Sequence, residues 1–416
     1  MSSPAWLAPP THCSRVKRLF DDAEMRARAE RARAFLAERG LDALLVSGDF
    51  SAGMNYYWLS GHMPRDFQLN YSRPHVMVLP LHGEPFLYVY DVNVENAREL
   101  SWVDDVVGYV PPFDGAVLGK VLHARGLASA RLGMELGEDQ RLFFPAAALS
   151  ELSRECPQLQ LLDASELIWR LRMIKSDAEV AYIEESNRIN GEALRCAFGL
   201  ISSGDDEVDV ARLVGRSIVD AGAVRPPYAQ VNVLSEAKSR ARGGASRLLG
   251  PMAEFTLAEG DLLFVDSGAV TAGYWGEFAR MASVGEPSAA KRAHHDAIRS
   301  IVQRSTRESM LAGAMFRNIV DELVDLYREY GYADDQYGPY VRASPLHYCH
   351  GVGLAGSEPP FIRHDSDATL EPGMVITVEA YLSVEGMTYA SEEDVLITAE
   401  GPRILSPLDE GLFQLG

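Results

Sequence analysis

Carboxylates set inside apolar strands constrain this chain more than any other feature of its sequence. In LLFVDSG, Asp266 follows four apolar residues, and Glu379 has similar surroundings in VITVEAYL. A carboxylate in such a setting is costly unless it is paired or bound to a metal. Period-two alternation puts Val375, Thr377 and Glu379 on one face of their strand, and Glu393, Val395 and Ile397 of SEEDVLIT on one face of theirs. A hairpin brings two such faces together. Glu277, in GYWGEFAR, lies eleven residues after Asp266 across a predicted hairpin. His350, in HYCHGVGLAGSEPP, is followed by Gly351, Gly353 and Gly356, which allow a tight backbone around an imidazole.

Taken singly, a strand carboxylate is more often a satisfied hydrogen-bonder, and a lone histidine a core or capping residue. Five such residues in this order point to one site. Four carboxylates in one core would repel one another if ionised and unpaired. Two divalent cations would neutralise them. Asp266, Glu277, His350, Glu379 and Glu393 form an oxygen-rich ligand set with one imidazole, which suits Mn, Fe or Co and admits Zn. A paired-metal site can activate a bridging water and polarise a carbonyl.

The 416 residues are too many for one ordinary core, so two domains are expected, 1–173 and 174–416. The net charge of −20 repels phosphate backbones and argues against nucleic-acid binding. No apolar run approaches the ~18 residues of a membrane span, and MSSPAWLAPPTHCSR lacks a signal-peptide core, so a cytoplasmic protein is expected. Cys13, Cys156, Cys196 and Cys349 are too scattered for a zinc ribbon or disulfide framework. The first three are expected to be buried free thiols.

Residues 14–40 are helical in period and stop at Gly40. Strands are expected at 41–48, 75–81, 85–92 and 127–136, the middle pair joined by His82-Gly83-Glu84. This alternation makes the first half α/β. Residues 164–200 are helical with a break at 173–176, after which Ser176 and Glu179 fit a capping box. Strands at 260–270 and 275–284, helices over 287–331, and strands at 372–382 and 391–401 around Gly386 make the second half α+β.

At this point the residues resemble the creatinase/aminopeptidase P/prolidase superfamily, whose catalytic domain has the pita-bread fold. Asp266-Ser267-Gly268 through Glu277-Phe278-Ala279-Arg280 resembles the family's first motif. Cys349-His350-Gly351-Val352-Gly353-Leu354, followed by Ser357-Glu358-Pro359-Pro360, resembles its histidine motif. Pro372-Gly373-Met374 with Thr377-Val378-Glu379, and then Glu393-Asp394, resemble the last two. Asn55-Tyr56-Tyr57-Trp58-Leu59-Ser60-Gly61 resembles a motif of the N-terminal domain. The resemblance implies an α+β pita-bread catalytic domain after a smaller α/β domain, a homodimer, and Glu379 as acid/base.

The departures cluster at the site. Glu277 stands for a family aspartate, Leu249 and Ser357 for two peptidase histidines, Ser391 for an arginine, and Ala380 for a proline. His347 could replace a lost proton carrier. Three readings follow. The first is a metal-dependent hydrolase of an amide or peptide-like C–N bond in a small molecule or short peptide. The second is a metal-free or single-metal creatinase-like hydrolase or lyase of a small zwitterion, in which Glu277 and Glu358 do acid/base work. The third is a non-catalytic binding protein. Ser357, together with Arg65 and Arg73 in HMPRDFQLNYSRP, offers substrate-binding groups, the arginines suiting a carboxylate.

Overall fold

The computed structural model describes residues 18–48, 53–63, 73–137, 142–223, 228–241, 255–341, 349–407 and 411–416. The chain divides into two compact units, Met1–Leu171 and Arg172–Gly416. No helix of the described residues is long and apolar enough to cross a membrane.

In the first unit, α1 (Asp22–Arg39) opens on Asp21, whose side chain accepts from Glu24 N, and closes on Gly40 at φ 62. β1 (Ala43–Gly48) is buried throughout, as its apolar run predicts. The motif around Trp58 forms α2 (Met54–Ser60). β2 (His75–Pro80), β3 (Phe86–Tyr90), α3 (Val94–Leu100), β4 (Asp105–Tyr109), α4 (Gly115–Ala124), β5 (Arg131–Met134), α5 (Ala146–Glu155) and β6 (Gln160–Asp163) follow. The six strands form one sheet in the order β4-β3-β2-β1-β5-β6. β1, β2 and β3 pair antiparallel, while β3/β4, β1/β5 and β5/β6 pair parallel. α6 (Ser165–Met173) runs across the division between the units.

In the second unit, Ser176 and Glu179 close the expected capping box at the start of α7 (Asp177–Phe198). α8 (Glu207–Asp220), β7 (Ala229–Leu234), α9 (Glu236–Ala241), β8 (Leu262–Thr271) and β9 (Tyr274–Val284) come next. Then come α10 (Ala289–Ser309), α11 (Phe316–Glu329), α12 (Asp334–Val341), β10 (Cys349–Gly351) and β11 (Glu358–Ile362). β12 (Val375–Val384), β13 (Met387–Thr398), β14 (Gly401–Ile404) and β15 (Phe413–Leu415) end the chain. Two sheets result, β15-β9-β8-β7 and β11-β10-β12-β13-β14, and they abut along β9 and β13.

Each sheet packs its outer face on helices. Ile189 and Leu194 of α7 and Val210 and Val214 of α8 meet Val231, Leu263, Val265 and Phe278. Ile298 and Ile301 of α10 and Ile319 and Leu323 of α11 meet Ile376, Val378, Val395 and Ile397. The strands alternate, so their other residues point inward between the sheets. Cys156 and Cys349 are buried, but Cys196 is exposed, contrary to expectation, because it lies one position off the apolar stripe formed by Ala193, Leu194 and Ala197.

The strand expected from 391 begins instead at Met387. Glu385 at φ 53 and Gly386 at φ 77 make a two-residue turn, and both positions are left-handed. Only a glycine adopts this conformation without strain. So tight a turn closes the ladder to Val384 opposite Met387, and this register decides which carboxylates face inward.

Candidate metal centre

β12 and β13 present three opposed pairs to the interior: Thr377 with Asp394, Glu379 with Glu392, and Tyr381 with Ala390. β8 adds Asp266 on the face of Leu262 and Phe264, and β9 adds Glu277 on the face of Ala279 and Met281. β10 pairs with β12 at His350 opposite Thr377. The structure thus brings Asp266, Glu277, His350 and Glu379 together. Ligand atoms of Glu277, His350 and Glu392 lie within 4.8 Å of one another.

His350 Nδ1 lies 3.1 Å from the Gly351 carbonyl. A carbonyl only accepts, so Nδ1 carries the hydrogen and Nε2 keeps its lone pair. That Nε2 lies 3.8 Å from Glu277 Oε1 and 3.8 Å from Glu379 Oε1. The Tyr228 hydroxyl sits 2.5 Å from Asp266 Oδ1 and 2.7 Å from Glu277 Oε2. The Tyr381 hydroxyl donates to Glu379 Oε2 at 2.6 Å. Asp394 is fully buried and accepts from Thr377 Oγ1 at 2.7 Å, Asn187 Nδ2 at 2.8 Å and Glu277 N at 3.1 Å. Trp275 stacks on Tyr228 with ring centroids 6.0 Å apart. Gly356 must stay bare, because a Cβ there would lie 2.9 Å from the Trp275 ring and 3.0 Å from Glu277 Oε2.

One expected ligand is corrected. Glu393 shares its face with Val395 and Ile397, as the alternation implied, but that is the helix-facing side. Its carboxylate is held in a fork by Arg280 Nη2 at 2.9 and 3.0 Å. Glu392 takes the inward place. Glu358 is also relocated. Its carboxylate is buried between Arg172 and Lys175, the latter at 3.2 Å, so each of its oxygens faces a cation. Ser357 is exposed just before β11. Arg73 lies in the first unit with its guanidinium 5.8 Å from the Tyr90 ring centre. Arg65, His347 and Leu249 lie outside the described residues. Glu392, Asp394, Tyr228, Tyr381 and Asn187 were missed. Glu392 and Asp394 were recoverable from the Glu385-Gly386 turn, whereas nothing local marks Asn187 on its helix or Tyr228 ahead of β7.

The electrostatics identify what this donor set lacks. Burial pushes the Asp266 and Glu379 carboxyls up to about 7, and Asp394 up to about 6. Burial, followed by repulsion from neighbouring carboxylates, raises Glu277 and Glu392 well above the usual range. Burial pushes His350 the other way, toward the neutral imidazole. Among the described residues no lysine or arginine forms an ion pair with these carboxylates. Glu392 Oε2 is buried and has no hydrogen-bond partner among the described residues. Crowded oxygens, a neutral imidazole and an orphaned acceptor fit divalent cations of the borderline-hard type.

A pH dependence follows for the metal-free protein. Unfolded carboxyls titrate near about 4. Between about 4 and 7 the folded state therefore holds protons that the unfolded chain has lost, and stability falls as pH rises through that window. The thermal midpoint in chelator is expected to drop from about pH 5 to about pH 7.5. Saturating divalent metal should flatten or reverse the slope, because ligands bind deprotonated. A metal-free midpoint that climbs over this range would contradict the proton bookkeeping.

Comparison with known proteins agrees with this arrangement. Residues 181–399 match the model of metallopeptidase family M24, and residues 28–174 match the creatinase/prolidase N-terminal domain. An Xaa-Pro dipeptidase of Pyrococcus horikoshii is 25% identical over 91% of this chain and 96% of its own length. A creatinase of a Bacillus species is 26% identical over 93% of this chain and 91% of its own. The solved Xaa-Pro dipeptidase of Bacillus anthracis superposes with TM-score 0.78 at 22% identity, covering 94% of this chain and 100% of that one. The fold is thus a creatinase-type N-terminal domain followed by a pita-bread catalytic domain.

Proposed function

The chain belongs to metallopeptidase family M24, and from that premise we propose that it is a dinuclear metal-dependent hydrolase of the amide bond in short, Xaa-Pro-like peptides. The observation that carries this reading is the convergence of Glu277, His350 and Glu392 within 4.8 Å, with a buried Glu392 oxygen left without a partner.

Asp266, Glu277, His350, Glu379 and Glu392 would hold the ions. When bound, a metal pair supplies an activated water at neutral pH and polarises a carbonyl. The chain's own residues do the rest. His350, fixed by the Gly351 carbonyl, keeps Nε2 deprotonated toward the cluster. Glu379, whose second oxygen is held by the Tyr381 hydroxyl, is the acid/base that the family resemblance implies. Trp275, stacked on Tyr228, offers an apolar wall beside Glu277 for a ring such as proline's. By the family resemblance the enzyme works as a homodimer, and its manganese, iron, cobalt or zinc is supplied in the cytoplasm.

A second reading is favoured by one observation: an exposed Ser357 stands at a position the resemblance gives to a peptidase histidine. Creatinase-like acid/base chemistry on a small zwitterion would then use Glu277 and Glu379.

The test is elemental mass spectrometry of protein purified without chelator, paired with turnover of a Met-Pro and Ala-Pro panel. Near two equivalents of metal with release of proline supports the hydrolase. No metal and no uptake on titration overturns it in favour of the second reading.

A further inference from the structure

The geometry points to Tyr381 as a positioning residue for Glu379: its hydroxyl sorts the two oxygens of that carboxylate, tying one and turning the other toward the ligand cluster. This rests on the dinuclear reading above.

Residues 377, 379 and 381 share the inner face of β12, and their partners across the ladder are Asp394, Glu392 and Ala390. Same-face neighbours on one strand stand about 6.7 Å apart, roughly the reach of a phenol. A tyrosine two positions on can therefore lay its ring along the strand and bring its hydroxyl to the preceding carboxylate. It does so here, with O–H to Glu379 Oε2 at 2.6 Å. Ala390, opposite, contributes only a methyl and leaves room for the ring. The anchor is fixed as well, because the Tyr381 carbonyl accepts from the Tyr327 hydroxyl at 2.7 Å, and Tyr327 is fully buried on α11.

With Oε2 held, Oε1 is the oxygen that faces His350 Nε2, at 3.8 Å. The last torsion of a glutamate is broad and nearly two-fold, so without a donor the carboxylate would swing. The opposed Glu392 shows the contrast: its Oε2 is buried with no partner among the described residues. Hydroxyls serve three further inward carboxylates, Tyr228 at Asp266 and Glu277, and Thr377 at Asp394. Tyr381 is the one that shares a strand face with the carboxylate it holds.

The experiment titrates metal-free wild type, Tyr381→Phe and Tyr381→Gln with Mn(II), following free Mn(II) by electron paramagnetic resonance. Tyr381→Phe keeps the ring and deletes the donor; Tyr381→Gln keeps a donor and deletes the ring. Loss of an outer-shell donor typically weakens metal binding about 10–100-fold. Wild type should take up two Mn(II). Tyr381→Phe should weaken one of the two sites by that factor and lower kcat rather than raise KM. Tyr381→Gln should bind more tightly than Tyr381→Phe. Two loaded sites in wild type with Tyr381→Phe within about twofold, or with Tyr381→Gln the weaker variant, would overturn the inference and leave the hydrolase reading standing. No Mn(II) uptake by wild type would overturn both.

Discussion

Glu392→Ala is expected to lose one of two bound divalent ions and to cut kcat/KM by more than the roughly 10–100-fold that an outer-shell partner costs. Its neighbour Glu393 should behave oppositely, although the two are adjacent acidic residues on one strand. Glu393 turns to the helix side, where Arg280 grips both its oxygens, and both side chains are less than one-tenth exposed. Removing one partner of such a pair leaves a buried charge and costs about 3–5 kcal/mol. Arg280 Nη1 also donates to the Glu392 carbonyl at 2.6 Å, so it holds the backbone of the ligand strand. Glu393→Ala should therefore shift the urea midpoint strongly while the folded fraction still takes up two ions. Elemental analysis beside urea unfolding of both variants decides the matter. Metal loss in Glu393→Ala and retention in Glu392→Ala would invert the assignment.

Glu358→Gln is expected to destabilise the protein by about 3–5 kcal/mol, a large share of the roughly 5–15 kcal/mol that a domain commonly has. Glu358 is the shared partner of Arg172 and Lys175, and the three side chains are exposed by 1, 5 and 1%. Neutralising it removes the buried counter-charge that both cations share. The cluster also sets the local backbone: the Lys175 amide donates to the Gly373 carbonyl, joining the start of the unit to the approach of β12. A Cβ at Gly353 would lie 2.4 Å from the Glu358 carboxylate, so the histidine loop needs glycine there. The urea midpoint of Glu358→Gln should fall while its residual folded fraction keeps activity. An unchanged midpoint with lost turnover would return Glu358 to the chemistry.

Residue types and spacing alone determined a good deal. The carboxylates set among apolar residues in LLFVDSG and VITVEAYL, the glycines after His350, and Ser176 with Glu179 are local signals. Each reports the residue's own requirement: a carboxylate needs a partner, a turn needs a left-handed position, and a helix end needs an acceptor. They sufficed to expect two domains and to group Asp266, Glu277, His350 and Glu379, which the fold does bring together, while the family came from the resemblance of the motifs. Only the tertiary structure decided the rest. The choice between Glu392 and Glu393 depends on register, and a one-residue slip sends a side chain to the other face. The Glu385-Gly386 turn sets that register by closing Val384 onto Met387. Glu358 looked catalytic beside a histidine motif, yet Arg172 and Lys175, more than 180 residues earlier, claim it. Asn187 reaches Asp394 from a helix, and Tyr228 reaches Asp266 from ahead of another strand. These partners are chosen by which faces pack together in space, and period and spacing along one strand carry no record of that.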